Sequence, residues 1–422
     1  MSDYTLSSEF AGVRVGAQQS IWRLDLILAA IAVFLSPINY LRAGFAYITL
    51  SDVFVLLTMA VMYAQGRVPL QPFGRASAAW YGSVFLLVLG LMLASVVNGD
   101  LVAGITISAQ YCFSLLIIPM LLLQRSRAEV LFLIMVFIAA MVFVMLHGAW
   151  YMEFAPDDRR FIKANGRLDS LMERENAAGA LAATAITFSM WLYFIRKIRL
   201  YMLVLVVIPL VYGLLLTGSN TGFFLTMIGA VCLVVLGGAM RILVGMVLVG
   251  GGLAFIILNW GELFLPEIFV ERVLGALETG DMDKAGTFSD RMYLIHEAFG
   301  VTRHTIFMGI GADQYRQISA HGAPVHNTYM LVLAEGGMIS LLGVFGLLGT
   351  GIMIGLPALL TRRLHWYGVL TVTSVIMLML MMNGVAHFYA RFWVVPWILA
   401  LGMSLAPAED GDDEEDWDHA YP

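Results

Sequence analysis

A helix that crosses a bilayer needs about 20 mostly apolar residues in a row, and this chain supplies such runs repeatedly. They lie at residues 21–39, 47–65, 78–97, 101–123, 129–152, 177–195, 199–216, 220–238, 241–257, 338–360, 366–384 and 387–405. Helices are expected there, because a backbone facing lipid must satisfy its own N–H and C=O groups. The expected fold class is therefore all-α: one polytopic membrane domain over residues 1–405, with about twelve transmembrane helices. Composition agrees, since 60% of the chain is hydrophobic and 13% charged, whereas soluble domains run at ~45–50% and ~25%. A water-soluble enzyme, a disordered chain and a disulfide scaffold are excluded. The 24 Lys and Arg face 30 Asp and Glu, so no basic surface for nucleic acid is expected either.

The net charge of −6 is local. Glu409, Asp410, Asp412, Asp413, Glu414, Glu415, Asp416 and Asp418 crowd into residues 406–422; without these eight, 24 basic groups face 22 acidic ones. That segment reads as a solvated acidic tail. Cys112 and Cys232 sit in separate apolar runs and read as packing residues. Orientation follows from Lys and Arg in the short loops. Arg67, Arg75, Arg125, Arg127, Arg196, Lys197, Arg199, Arg241, Arg362 and Arg363 fall on one side, while Asn98-Gly99-Asp100 and Gly218-Ser219-Asn220 fall on the other. Both termini are expected in the cytoplasm, and the polar first 20 residues lack a cleavage pattern, so the first span is expected to stay as an anchor.

Two longer segments, about 153–176 and 258–326, fall on the outer face. Long loops on a helical scaffold are where function concentrates. The first carries Arg159, Arg160, Lys163, Arg167 and Arg174 among interleaved acids, then Asn176 at the start of a helix. Most of these read as a paired, solvated surface. Arg167, after Gly166, stands open between that reading and an anion ligand. In the second, Ser289 reads as a helix start with Met292, Ile295 and Phe299 on one face. Arg291 then falls in the first turn, where a cation gains nothing from the helix dipole. It is assigned to an external anion, with a salt bridge to Asp290 or near Glu297 as the competing reading.

The stretch "HGAPVHNTYMLVLAEGG" puts His326 and Asn327 just before an apolar run, after Pro324. An imidazole at the membrane boundary is neutral near pH 7 and is suited to accept a proton. Its competing role is to satisfy helix-end groups. His304 and His321 read as surface residues. His321 and His326 lie five apart with no Cys nearby, so neither metal nor cofactor is expected. Arginine pairs with diphosphate through its planar fork, so these residues suggest chemistry on an anionic, membrane-tethered substrate. Glu335 is expected to hold a local turn or orient the His326 segment. Asp25 reads as an interfacial pair with Arg23, Asp52 stands open between a helix cap and a functional acid, Gly250–Gly252 read as a close helix contact, and Arg391 and His387 as candidate lining residues. A transporter would show repeated halves and a midplane site, and neither is visible; a non-catalytic partner in glycan assembly is the other rival.

The segment "SDRMYLIHEAF…MGIGADQY…HNTYMLVLAEGGMISLLG" resembles the signature region of the O-antigen ligase and O-antigen/exopolysaccharide polymerase superfamily. "GRLDSLMERENAAGALAA" and "LLLTGSNTGFFLTMIGA" resemble two further marked segments, with Arg167 and Asn176 at matching places. The resemblance implies a GT-C-like membrane glycosyltransferase of the bacterial inner membrane. It implies an undecaprenyl-diphosphate glycan donor on the periplasmic side, and a second lipid-linked glycan or lipid A-core as acceptor. It also implies inverting, metal-independent transfer, with other polysaccharide-assembly proteins as partners. It places the base on His326 and a diphosphate-binding arginine on Arg291. One departure stands out: Asn220 occupies the place where many relatives have an arginine after the serine. Asn220 can donate a hydrogen bond but carries no charge, leaving Arg167, Arg174 or Arg316 to supply a second positive group. Polymerase is favoured slightly over ligase on that departure.

Overall fold

The computed structural model describes residues 23–43, 48–275 and 288–407. The acidic tail and the polar N-terminal residues lie outside them. The chain forms α1 (Leu24–Leu35), α2 (Leu50–Ala64), α3 (Ser77–Val97) and α4, which runs Leu101–Leu122 through a π turn. Next come α5 (Arg127–Phe154), α6 (Glu175–Phe194), α7 (Leu200–Thr217), α8 (Asn220–Leu236) and α9 (Met240–Trp260). A shorter polar helix, α10 (Phe288–Thr305), precedes α11 (Thr328–Leu360), α12 (His365–Met381) and α13 (Arg391–Leu405). Among the described residues eight helices are long and apolar enough to cross a membrane, and α1, α2, α8 and α13 are shorter apolar ones. The strands Arg42–Ala43 and Ile48–Thr49 form one two-residue hairpin. The chain is an all-α polytopic membrane protein.

Polar residues at the helix starts explain several boundaries. Thr49 and Asp52 form a reciprocal capping box on α2, and Ser126 and Glu129 do the same on α5. Asp100, Ser219 and Asn327 cap α4, α8 and α11. Asp52 is thus a cap, as its position suggested, but it also accepts from Arg391 Nε at 2.5 Å and Nη2 at 3.0 Å while buried. Gln110 accepts from the remaining edge of that guanidinium at 2.5 Å. Arg391 therefore ties α2 and α4 to α13. At the opposite end, buried Asp25 accepts from Arg125 at 3.1 Å and Arg67 at 3.4 Å, with Arg23 at 3.8 Å. The expected Arg23 partner is the most distant of the three.

Helix α6 is largely buried. Its run Ala177, Ala178, Gly179, Ala180, Ala182 and Ala183 is buried, and such small side chains let neighbouring backbones approach closely. A methyl group at Gly179 would stand 2.5 Å from Ser219 Cβ, and one at Gly222 2.7 Å from the Gly179 carbonyl carbon. The first turns of α6 and α8 are therefore pressed together. The expected contact at Gly250–Gly252 is not formed: no atom lies within 4 Å of any of their Cβ positions. None of α9 is buried, so its glycines have no neighbour to admit among the described residues.

The largest departure from expectation is at α11. It begins at Thr328, ten residues before the expected span, and continues through a kink at Gly337 with φ 69° and ψ −170°. Glu335-Gly336-Gly337 bends the helix without ending it, because a neighbouring segment takes over the hydrogen bonds. Met338 N–H donates to Ile306 O at 2.8 Å, Ile310 N–H to Ala334 O and Gly311 N–H to Glu335 O, each at 2.9 Å.

Candidate functional site

The end of the bundle bearing the two long loops gathers most of the singled-out residues. In the first loop, Ile162 pairs with Leu168 across a turn closed by Gly166 at φ 74°. This turns Arg167 inward, where it is 4% exposed. Its Nε donates to Thr217 O at 2.8 Å, and its amino groups to Glu175 at 2.9 Å and Asn176 Oδ1 at 2.7 Å. Burial, with Arg272 and Arg291 nearby, draws its pKa down to about 10. Arg167 and Asn176 thus join the first loop, the start of α6 and the end of α7. Arg160 and Lys163 form the surface pairs expected, with Asp158 at 2.6 Å and Asp169 at 2.8 Å.

In the second loop, Arg291 lies in the first turn of α10, half-buried. Ser289 stands inside the helix rather than before it. Glu297 is turned elsewhere: it accepts from the Tyr315 hydroxyl at 2.7 Å and from Ala320 N–H at 3.0 Å. Tyr315 is buried, its hydroxyl also approaches Leu294 O at 2.9 Å, and its amide donates to Glu335 Oε1 at 3.3 Å. A small apolar core of Leu294, Ala298, Tyr315, Val325, Leu331, Ala334 and Ala386 closes around this network. It locks α10 against the start of α11, and so sets Arg291 relative to His326. Glu335, 3% exposed, is the acceptor that binds the kink to the Tyr315 segment.

His326 follows buried Val325 and precedes Thr328, whose amide and hydroxyl donate to Met382 O and Val385 O, each at 2.8 Å. Asn327 Oδ1 accepts from Met330 N–H at 3.0 Å, and its amide reaches Asn383 at 3.3 Å. The backbone is therefore held on both sides of His326, which is itself half-buried. Burial holds its pKa below the usual 6.5, and Arg291 and Arg174 push the same way. A neutral, proton-accepting His326 at neutral pH follows. Arg174 is exposed and, like Arg291, forms no hydrogen bond or ion pair with the described residues. His387 joins the group: burial first, then Arg174, Arg316 and His326, lower its pKa to about 4. Arg316 pairs with Asp313 at 2.6 Å. Asn220 sits in the first turn of α8 behind the Ser219 cap.

Sequence reading passed over Arg272. Its Nε donates to the Gly218 carbonyl at 3.3 Å, at the turn that also bears Asn220. It stands in an apolar stretch, "PEIFVERVLGA", with no spacing signal to single it out. The side chains of Asp290 and His304 lie outside the described residues. Chemically, the cluster offers several guanidiniums and a neutral imidazole within reach of one another's charge, which suits binding an anion beside a proton acceptor.

No curated protein matches the chain. Residues 205–345 match the family model described as O-antigen ligase, a segment running from within α7 to beyond the α11 kink and containing Asn220, Arg272, Arg291, His326 and Glu335. The match covers about a third of the chain, and over that segment the chain is similar to the O-antigen ligase family.

Proposed function

We propose that the chain transfers a glycan from an undecaprenyl-diphosphate donor to a hydroxyl acceptor at the loop-bearing end of the bundle, on the periplasmic side of the inner membrane. The observation that carries the reading is the half-buried His326, on a backbone held by Asn327 and Thr328, within the field of Arg291 and Arg174, two guanidiniums with no partner among the described residues. In this mechanism His326 takes the proton of the acceptor hydroxyl as its oxygen bonds to the anomeric carbon. The bond from that carbon to the diphosphate oxygen breaks, and Arg291 receives the departing negative charge. Attack opposite the leaving group inverts the anomeric centre, and no metal is required. Confining donor, acceptor and base to one membrane face lowers the entropic part of the barrier.

The remaining residues take supporting places. Arg167, engaged by Thr217, Glu175 and Asn176, positions the α6 and α7 ends rather than gripping substrate. Asn220 offers a neutral donor, and Arg316 adds charge from the rim. Asn327 and Glu335 hold the His326 segment. The acceptor is a second lipid-linked repeat, making the enzyme a polymerase. The ligase reading, with lipid A-core as acceptor, is favoured by the description of the matching family. Deleting the gene and resolving surface glycans on a gel tests both. A polymerase loss leaves single repeat units, a ligase loss accumulates lipid-linked polymer, and unchanged surface glycans would overturn the reading.

A further inference from the structure

We propose that Arg272, delivered by the loop after α9, is a second guanidinium of the anion site at the α7–α8 turn, where Asn220 brings no charge. This rests on the donor chemistry of the preceding reading. The placement is geometric. Arg272 Nε bonds the Gly218 carbonyl at 3.3 Å, and its Cδ lies 3.2 Å from the Cβ position of Gly218, two residues before Asn220. The turn is rigid: Gly218 has φ 54°, Ser219 caps α8 through Gly222 N–H, and Thr217 O is held by Arg167. The loop that bears Arg272 is seated as firmly. Buried Phe269 packs edge-on against Phe223 of α8 at 5.0 Å, and Ile268 lies over Gly218.

Electrostatics agree with the placement. Burial lowers the pKa of both Arg167 and Arg291, and the charge of Arg272 pushes each the same way. Like charges gathered in a partly desolvated place oppose one another. Glu175 bears on both Arg167 and Arg291 and is bound to Arg167. A diphosphate presents several oxygens, and planar forks from two different loops suit them. Arg272 thus reaches from a separate loop the place that an arginine after Ser219 would fill.

The test uses the purified full-length protein in detergent, with inorganic pyrophosphate as the calorimetric probe and glycan transfer as the second readout. Arg272→Ala is expected to weaken pyrophosphate binding by about tenfold or more, the loss expected for a charge-assisted contact, and to raise the donor KM. The double variant R272A/N220R, which returns a guanidinium to the turn, is expected to recover binding. Pyrophosphate binding by R272A equal to wild type would overturn the inference. So would a loss that N220R does not recover, because Arg272 would then serve the loop's structure alone. A His326→Gln protein that transfers glycan at the wild-type rate would sink the preceding reading, whatever the Arg272 variants do. An inactive H326Q beside an R272A that binds normally would sink this inference alone.

Discussion

Replacing Gly337 by alanine tests whether the kink in α11 organises the site. At φ 69° and ψ −170° the residue occupies a backbone region essentially reserved for glycine, worth about 1–3 kcal/mol to any other residue. A Cβ there would stand 2.3 Å from Phe307 O and 2.6 Å from its carbonyl carbon. These are backbone atoms, so relief requires moving the 306–311 segment. That segment is held by three hydrogen bonds, from Met338, Ile310 and Gly311, each contributing roughly 0.5–1.5 kcal/mol. Gly337→Ala is therefore expected to destabilise the protein by roughly 2–6 kcal/mol, from the strain and part of that bonding. Gly349→Ala, on the same helix, meets nothing within 4 Å and should be neutral or stabilising by up to ~1 kcal/mol. Thermal unfolding in detergent, followed by size-exclusion of the surviving protein, compares the two. Transfer activity should fall with G337A alone, because the segment leads into Tyr315, whose hydroxyl bonds Leu294 O and Glu297 of α10. Equal unfolding temperatures for the two variants would refute the reasoning.

The remaining predictions concern charge. Protonating His326 removes its function, so kcat/KM should fall as pH drops through a pKa below the usual 6.5 and stay level above it. Bound diphosphate offsets Arg291 and Arg174, so the inflection in kcat should lie higher; a profile unchanged in H326Q would refute both statements. Arg391→Ala strands Asp52 in the interior, a loss of about 3–5 kcal/mol read as a lower unfolding temperature, and the neutral pair D52N/R391M should regain most of it. Arg167→Ala should lower the unfolding temperature, and Arg167→Lys should fail to restore it, since an ammonium cannot serve three acceptors set around a planar fork. An R167A protein of wild-type stability that binds pyrophosphate poorly would instead make Arg167 a substrate ligand.

The helices were legible because apolar run length is a direct consequence of bilayer thickness, and the capping place of Asp52 announces itself locally. The start of α11 was not, because Glu335-Gly336-Gly337 reads as a break until residues 306–311 are seen to satisfy the kink. The place of His326, after Pro324 and before an apolar run, was legible, while the proposed role depends on the arginines that only the fold brings near it. Arg391 was not recognised as a partner of Asp52, 339 positions away, and Arg272 was missed for the same reason. Sequence spacing carries no record of which loop folds over which turn. Arg167 showed its importance but not its direction, since only the fold reveals that its guanidinium points inward.

The account stands on His326 as the group that activates the acceptor. The direct measurement is glycan transfer by purified His326→Gln protein with a polyprenyl-diphosphate-linked donor, alongside binding of inorganic pyrophosphate. The account predicts transfer reduced by about 10²–10⁴-fold, the usual contribution of a general base, with pyrophosphate binding retained. Transfer at the wild-type rate would contradict it.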